Sequence, residues 1–268
     1  MPLTLDRSLA AIAAHSRGLA DAARDNLDAR VEHCPEWSVA DLVWHVTEVH
    51  WFWRTIAGGE LDAPPDESLR PNRPDDDRLV DVFAAGAGAL VETLRGADQG
   101  ASCWTWASQK DVAFITRHQV QEVMVHHFDA ANVRNEPARK ELRGLVDSNA
   151  DLVVDAVDEF LTFSVSNPAH IKENAAPLDG VLWFCGCVTA QDIDASWLIN
   201  DGTVPGTIEF SHDLTAQTDE APAGHSVGEH CEPGNLLLWL YGRRSDEQMF
   251  GEEPAAVVQR FRALCFTD

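Results

Sequence analysis

Apolar residues recur at intervals of three and four positions through the first half of the chain, which is the spacing of one face of an α-helix. This pattern predicts four helices, over about residues 4–29, 38–59, 75–94 and 112–133. Ser38 and Asp41 have the spacing of a capping box at the start of the second helix. Gly58 and Gly59 indicate where it ends. Helices of this length with modest connections predict a bundle.

The second half of the chain changes to short runs that are rich in β-forming residues. The runs cover residues 181–189, 197–199, 203–210 and 225–231. Asp201 and Gly202 lie between the second and third runs and are typical of a hairpin turn. We therefore expect a small sheet in this half.

Further helices are predicted on both sides of the sheet. A fifth helix over residues 148–163 connects the two halves, and a helix over residues 236–241 has Asn235 as its N-cap and Gly242 just beyond its end. A last helix covers residues 254–264 and begins with Pro254. The predicted fold class is α+β, with a helical bundle over residues 1–145 and a smaller α+β domain over residues 165–268.

The composition is typical of a globular protein and disfavours some classes of binding partner. Hydrophobic residues make up 45% and charged residues 24%, which excludes a largely disordered chain. The net charge of −24 disfavours binding to nucleic acid or to anionic membranes. No apolar run approaches the roughly 20 residues that span a bilayer. The N-terminal residues resemble no secretion signal, so we expect a cytoplasmic protein whose six cysteines are reduced thiols.

The charge is unevenly distributed, and this draws attention to two arginines. Residues 151–268 contain 5 basic and 20 acidic side chains. Arg243 and Arg244 are adjacent within this acidic half and are candidates for binding a substrate carboxylate or a developing negative charge. They are also well placed to interact with a helix C-terminus, and the sequence leaves both interpretations open.

The fourth predicted helix contains a pair of residues that can hold a metal ion. Glu122 and His126 are four positions apart and so lie on the same face of the helix. His45, at the flank of the apolar stripe of the second helix, is a candidate third ligand. Two imidazoles and one carboxylate with a position left open for water or substrate are typical of catalytic zinc.

Spacing alone leaves alternatives to this site. A Glu and a His four residues apart are usually a surface ion pair, and His45 alone is more often a histidine at the edge of a core. His50, His118 and His127 are rival ligands that spacing does not exclude.

Two other features are weaker candidates for chemistry. Cys185 and Cys187 fall on one face of a predicted strand, where buried core cysteines are a more common explanation than a metal or redox pair. Trp104 belongs to an aromatic loop at residues 102–106 that is a candidate pocket lining, although aromatic residues at this spacing more often serve packing.

Three segments together resemble a known family. Residues 34–46 (CPEWSVADLVWHV) resemble the W-S/T-V-x-D-L-x-x-H opening of the maleylpyruvate isomerase, or mycothiol-dependent, family within the DinB-like metalloenzymes. Residues 122–130 (EVMVHHFDA) resemble its E-x-x-x-H-x-x-D-A metal helix. Residues 236–244 (LLLWLYGRR) resemble the L-L-x-W-L-x-G-R helix of its C-terminal domain. The motifs occur in the family's order and extend over both halves of the chain.

The resemblance implies a DinB-like four-helix bundle that binds zinc, with a small α+β domain closing over the site. His45, Glu122 and His126 match the family's metal ligands, and Asp129 matches the aspartate of the metal helix, behind the ligands or at a helix end. Arg243 matches the arginine that the isomerase needs for activity.

Four further candidate residues are not metal ligands of the family. His118 and His127 match no family ligand. Arg244 and Trp104 are candidate contacts to the thiol cosubstrate.

The leading hypothesis for function is a zinc-dependent or other divalent-metal enzyme that uses mycothiol, a neutral cysteinyl pseudodisaccharide. The metal-activated thiolate attacks a small electrophile, with cis–trans isomerisation or thiol S-transfer as the outcome. The expected partners are this thiol and a carboxylate-bearing small molecule. One alternative is a hydrolase that uses metal-bound water. Another is a bundle without enzymatic activity that binds metal structurally or not at all.

Overall fold

The computed structural model describes residues 3–133, 149–165, 176–188, 193–204, 206–212, 226–230, 233–252 and 256–265. The chain divides into two compact units, Met1–Leu145 and Val146–Asp268. The first is helical and the second combines a small sheet with helices, which confirms the predicted α+β fold class. Among the described helices, none combines the length and the hydropathy that a membrane span requires.

Four long helices form the first unit. Their bounds are Leu5–Ala23 (α1), Val39–Gly59 (α2), Asp76–Gly96 (α3) and Val112–Asn132 (α4). Side chains that accept hydrogen bonds from the first-turn amides explain where three of them begin. Thr4 caps α1, Ser38 caps α2 and Asp111 caps α4. Ser38 and Asp41 form both halves of the predicted capping box.

One helix end in the first unit differs from the sequence prediction. α1 ends at Ala23 rather than near residue 29. The amide of Val39 donates to the carbonyl of Ala29 (2.9 Å), so backbone pairing in the connection replaces the last predicted turn of the helix. α2 ends at Gly59, as predicted, and the left-handed backbone that follows it belongs to Glu60 (φ 47°).

Helices α2 and α4 run antiparallel, as their ring and side-chain contacts show. His45, early in α2, lies beside Glu122 and His126 late in α4. Trp53, about two turns further along α2, contacts the rings of Phe114 and His118 in the first half of α4. This pairing brings residues from distant parts of the sequence onto one surface inside the bundle. α4 is buried on most of its circumference, including the polar side chains at its centre.

The second unit contains a four-stranded sheet. The strands are Val181–Val188 (β1), Ile193–Asp201 (β2), Ile208–Ser211 (β3) and Ser226–His230 (β4), in the order β3-β2-β1-β4. β1 is antiparallel to β2 and parallel to β4, while β2 is antiparallel to β3. The helices of this unit are Ala150–Glu159 (α5, continued by a π-helical turn Phe160–Ser164), Pro233–Leu240 (α6), Asp246–Phe250 (α7) and Ala256–Leu264 (α8).

The core of this unit is aromatic. Trp239 of α6 stacks on Phe261 of α8 with ring centroids 5.6 Å apart, and it packs against Phe184 of β1 at 5.7 Å. Trp197 of β2 is fully buried and donates its indole N–H to Asp158 (2.7 Å). These contacts pack the helices α6 and α8 on the central strand.

Several details of the second unit depart from the sequence prediction. β2 is longer than residues 197–199, and β3 begins at Ile208, so the hairpin forms with a longer turn than Asp201-Gly202 alone. α6 begins at Pro233, which places Asn235 inside the helix rather than at its N-cap. α7 was not predicted. Gly242 has left-handed backbone (φ 74°) just beyond α6, as predicted.

Some sequence predictions lie outside the described residues. These are the helix and strand ends at Ser148, Thr189, His225, Cys231 and Pro254. Cys185 and Cys187 are part of β1, but their side chains lie outside the described part of the structure. Cys34, Cys103 and Cys265 are free thiols.

Candidate metal centre

The structure brings His45, Glu122 and His126 together where α2 passes α4. One ligand atom from each, an imidazole nitrogen or a carboxylate oxygen, lies within 4.8 Å of the other two. Oε1 of Glu122 is 3.3 Å from Nε2 of His126 and 3.6 Å from Nε2 of His45. Within the described part of the chain, this is the one such group of three histidine, cysteine or acidic side chains. We refer to these three residues as the triad.

The capped start of α2 fixes the position of His45. The capping box at Ser38 and Asp41 holds the first turn, and His45 follows roughly one turn later. The indole of Trp37 packs against the His45 imidazole with ring centroids 4.8 Å apart. Glu122 and His126 lie on consecutive turns of α4, so one rigid helix supplies both side chains.

Asp129 lies behind His126. Its Oδ2 is 3.1 Å from Nδ1 of His126, and its side chain has no exposed surface. A carboxylate in this position holds a proton on Nδ1 and leaves Nε2 with its lone pair directed to the triad. This pairing is typical of histidines that bind metal ions.

Electrostatics couple the members of the triad. Burial raises the pKa of the Glu122 carboxyl, but the charge and hydrogen bonds of His126 and His45 outweigh burial and hold that pKa well below 4.5. Burial lowers the pKa of His126, but Glu122 and Asp129 outweigh it and raise that pKa to about 9. Without a metal, His126 is therefore protonated at neutral pH, and its positive charge lies beside Glu122, where a metal cation would bind.

The triad is open on one side within its own unit. The side chain of His45 is 30% exposed, against 14% for Glu122 and 11% for His126. Two imidazoles and one carboxylate fit Zn²⁺ and suit other divalent transition metals as well. A site with three protein ligands retains a position for an exogenous ligand. The donor set, the carboxylate behind His126 and the partial exposure all fit a catalytic metal.

His118 lies in an aromatic cluster rather than in the triad. Its ring stacks on Phe114 (5.4 Å between centroids) and meets Trp53 (5.7 Å) and Trp106 (5.3 Å) edge to face. Its Nδ1 is 2.9 Å from Nε2 of Gln121. These contacts account for a buried histidine without a metal.

His127 contacts α1 and is not part of the triad. Its Nδ1 is 3.1 Å from Nδ1 of His15 on α1, and the two buried rings meet edge to face. Gly18 makes room for this pair, because a Cβ at Gly18 would overlap the His127 ring. Burial, followed by the charges of His127 and Arg7, lowers the pKa of His15 to about 3.

His50, which spacing left as a rival ligand, and Gln119 are buried polar residues outside the triad. His50 stacks on Phe83 (5.5 Å), and neither of its ring nitrogens has a hydrogen-bond partner in the structure. The side-chain amide of Gln119 likewise has none, and it has no exposed surface. Burial, partly opposed by Glu122, lowers the pKa of His50 to about 4, so its ring is neutral at neutral pH. Spacing had named His50 among the rival ligands, whereas no sequence signal pointed to Gln119.

Trp104 packs against α2. Its ring contacts Phe52 (5.9 Å) and Trp53 (6.2 Å), and its amide donates to the carbonyl of Leu61 (2.6 Å). It is half-buried. The structure therefore places it two turns along α2 from His45, next to the aromatic cluster of His118.

Arg243 and Arg244 lie in the second unit, in the turn between α6 and α7. Nη1 of Arg243 donates to the carbonyl of Tyr241 (2.6 Å), and Nη2 of Arg244 is 3.4 Å from Oδ1 of Asn235. Both side chains are half-buried. The two candidates thus share one turn that follows the end of a helix.

The geometry can be compared with known families. A family model described as "Mycothiol maleylpyruvate isomerase N-terminal domain" matches residues 8–131. The matched region contains α1 to α4 almost entirely, and with them the triad and Asp129. Comparison with curated proteins and with solved structures finds no match.

Proposed function

Because the helical bundle of this chain belongs to the mycothiol maleylpyruvate isomerase N-terminal domain family, we propose that the protein is a metal-dependent enzyme that uses a low-molecular-weight thiol. The proposed cosubstrate is mycothiol, the thiol in the family's name. The observation that carries the proposal is the convergence of His45, Glu122 and His126 on one point, with Asp129 behind His126.

In this proposal the triad holds Zn²⁺ or another divalent metal through Nε2 of both histidines and a carboxylate oxygen of Glu122. A bound zinc ion lowers the pKa of a coordinating thiol and so makes a thiolate available at neutral pH. Asp129 keeps the proton on Nδ1 of His126, which preserves the Nε2 lone pair for the metal. Glu122 supplies a negative charge that compensates the cation in a buried place.

The thiol then adds to an activated small electrophile. In an isomerisation, addition to a double bond permits rotation, and elimination regenerates the thiol. In an S-transfer reaction, the adduct is the product. We propose that Arg243 binds a carboxylate of the electrophile through its guanidinium, with Arg244 and Trp104 as contacts to the thiol cosubstrate.

Metal analysis and a thiol-dependence assay on the same preparation test the proposal. We expect about one divalent metal per chain, as a three-ligand site requires. We expect turnover of maleylpyruvate, or of another electrophile in a panel of unsaturated carboxylates, only when mycothiol is present. His45→Ala and His126→Ala should abolish both metal and turnover. His33→Ala is the matched control, because His33 is half-buried in the same unit and packs on Phe128 outside the triad.

The other outcomes identify other functions. Hydrolytic turnover without thiol would overturn the proposal in favour of a nucleophilic metal-bound water. Bound metal with no turnover of any panel member would favour a bundle that binds metal without catalysis. Absence of metal, with His45→Ala and His126→Ala equal to the unsubstituted protein in activity, would contradict the metal site itself.

A further inference from the structure

Arg262, in the last helix of the second unit, binds the turn that carries Arg243. We call residues 241–245, between α6 and α7, the arginine turn. Nη1 of Arg262 donates to the carbonyl of Leu240 (3.3 Å), and Nη2 donates to the carbonyl of Arg244 (3.4 Å). These carbonyls stand on either side of Tyr241, Gly242 and Arg243. One guanidinium therefore bridges the two ends of the turn.

The guanidinium of Arg262 is itself fixed in position. Its Nε donates to Oδ1 of Asp246 (3.1 Å), and its plane lies over the indole of Trp239, with Cζ 4.2 Å from the ring centroid. Trp239 donates its indole N–H to the same Asp246 oxygen (2.8 Å). The side chain of Arg262 is only 23% exposed. All three of its guanidinium nitrogens donate hydrogen bonds, which restrains both the position and the orientation of this group.

Backbone hydrogen bonds to α6 also hold the arginine turn. The amide of Arg243 donates to the carbonyl of Leu238 (2.7 Å), and the amide of Gly242 donates to that of Trp239 (2.9 Å). Together with the left-handed backbone of Gly242, these bonds form a Schellman motif that ends α6. At the far end, Ser245 begins α7 with a capping box.

Arg262 adds hydrogen bonds between the arginine turn and α8, which these two local motifs do not provide. The Schellman motif fixes the first half of the turn relative to α6, and the capping box fixes the last residue relative to α7. Arg262 connects both ends to α8. Its charge is compensated by Asp246. Arg262 is therefore a third arginine at this turn, and its guanidinium is bound by Asp246 and by the two backbone carbonyls.

We propose that Arg262 is a positioning residue, which holds the arginine turn so that Arg243 is preorganised to bind the carboxylate of the electrophile. The inference rests on the proposed function in one respect, the role of Arg243. The role of Arg262 in holding the turn stands on the contacts alone. Preorganisation of a guanidinium lowers the entropy lost on binding a carboxylate, so its loss is expected to weaken binding of the electrophile.

Arg260 offers a matched control on the same helix. It too donates to backbone carbonyls, from Nε to that of Leu178 (2.5 Å) and from Nη2 to that of Asp179 (3.3 Å). These carbonyls lie before β1 and not in the arginine turn. Arg260→Ala therefore removes the same side chain and the same kind of contact from α8 while leaving the turn intact.

The test measures amide hydrogen exchange of the peptide that covers the arginine turn in the full-length protein. In Arg262→Ala we expect exchange in this peptide to accelerate about tenfold or more, since a restraint that ties it to α8 is lost. In Arg260→Ala we expect the turn to exchange as in the unsubstituted protein. Arg262→Lys keeps the charge but loses the planar fork, so we expect an intermediate acceleration. Equal exchange in Arg262→Lys, Arg260→Ala and the unsubstituted protein would overturn the inference, even if Arg262→Ala does not fold.

Steady-state kinetics on the mycothiol-dependent reaction separate positioning from stability. We expect Arg262→Lys to raise KM for the electrophile about tenfold with little change in kcat, because a positioning defect weakens binding of the carboxylate. Arg260→Ala should leave both constants unchanged. Arg243→Ala tests the proposed function separately. If it is inactive while Arg262→Lys keeps normal constants, the positioning role is wrong. If Arg243→Ala keeps full activity, the proposed role of Arg243 is wrong and the exchange result alone decides whether Arg262 holds the turn.

Discussion

Nδ1 of His126 lies 3.1 Å from Oδ2 of Asp129, one turn further along α4. This contact fixes the orientation of the imidazole ring and keeps a proton on Nδ1. Because Asp129 holds the proton on Nδ1, the proton that His126 loses on metal binding is the one on Nε2, which faces Glu122 and His45. The contact is made within a single helix, so it forms whenever α4 forms.

Asp129→Ala should weaken metal binding without removing any ligand. A carboxylate that orients a metal-binding histidine typically contributes about 10–100-fold to metal affinity. We expect a loss of this size in a competition titration with a chromophoric chelator. Asp111→Ala is the control, because it removes a carboxylate from the N-cap of the same helix, where it costs stability but does not touch the triad. Equal affinities for the two variants would refute the role of Asp129.

Metal affinity should rise with pH through the neutral range. The pKa of His126 is about 9 in the metal-free protein, so its proton must leave before Nε2 can bind a metal. Between pH 7 and 8.5 we therefore expect the apparent affinity to increase about tenfold per pH unit, as for displacement of one proton. Calorimetry in buffers of different ionisation enthalpy measures the protons released. A value near zero at pH 7 would contradict this interpretation.

The same pKa has an opposite consequence for the stability of the metal-free protein. The folded-state pKa of His126, about 9, exceeds its unfolded value of 6.5. The stabilisation linked to its protonation is therefore complete below pH 6.5 and is lost as the pH rises towards 9. We expect the free energy of unfolding in urea with chelator to fall by about 3 kcal/mol over this range. His126→Asn should lack this decrease, and an unchanged pH dependence in that variant would show that another group causes it.

Much of the fold was accessible from the sequence because its signals are local. Apolar spacing predicted α1 to α4, and the Ser38–Asp41 capping box and Gly242 marked helix ends that the structure reproduces. The end of α1 was not accessible, since it depends on backbone pairing between Val39 and Ala29, which are ten residues apart. The helix propensity of residues 24–29 gives no information about this pairing with a later segment of the chain.

The site was only partly accessible, for a similar reason. The spacing of Glu122 and His126 on one helix is a local property and predicted that they share a face. The approach of His45 depends on the antiparallel pairing of α2 with α4. That pairing also separates His45 from the rival His118, which the aromatic residues Trp53, Trp106 and Phe114 surround. Periodicity alone left these histidines equivalent, and the family resemblance favoured His45.

Substitution of two glycines by alanine should change stability in opposite directions. A Cβ at Gly18 would overlap the His127 ring, so Gly18→Ala forces the buried His15–His127 pair apart. We expect a loss of about 1–3 kcal/mol, as for overpacking of a core. Gly86 lies inside α3 with open space around its Cβ position, so Gly86→Ala should stabilise the protein by about 0.5–1 kcal/mol. Urea unfolding of both variants measures the two changes. Unchanged or increased stability of Gly18→Ala would contradict the contact with His127, and destabilisation by Gly86→Ala would contradict the open space at that position.

A crystal structure of the metal-loaded protein, with anomalous scattering recorded at the absorption edge of the bound ion, tests whether the triad binds the metal. We expect an anomalous peak about 2.0–2.2 Å from Nε2 of His45, Nε2 of His126 and a carboxylate oxygen of Glu122. We also expect Nδ1 of His126 to remain hydrogen-bonded to Asp129. A peak bound by His118, His127 or His50 in place of the triad, or no peak in protein loaded with excess metal, would contradict the proposed metal site.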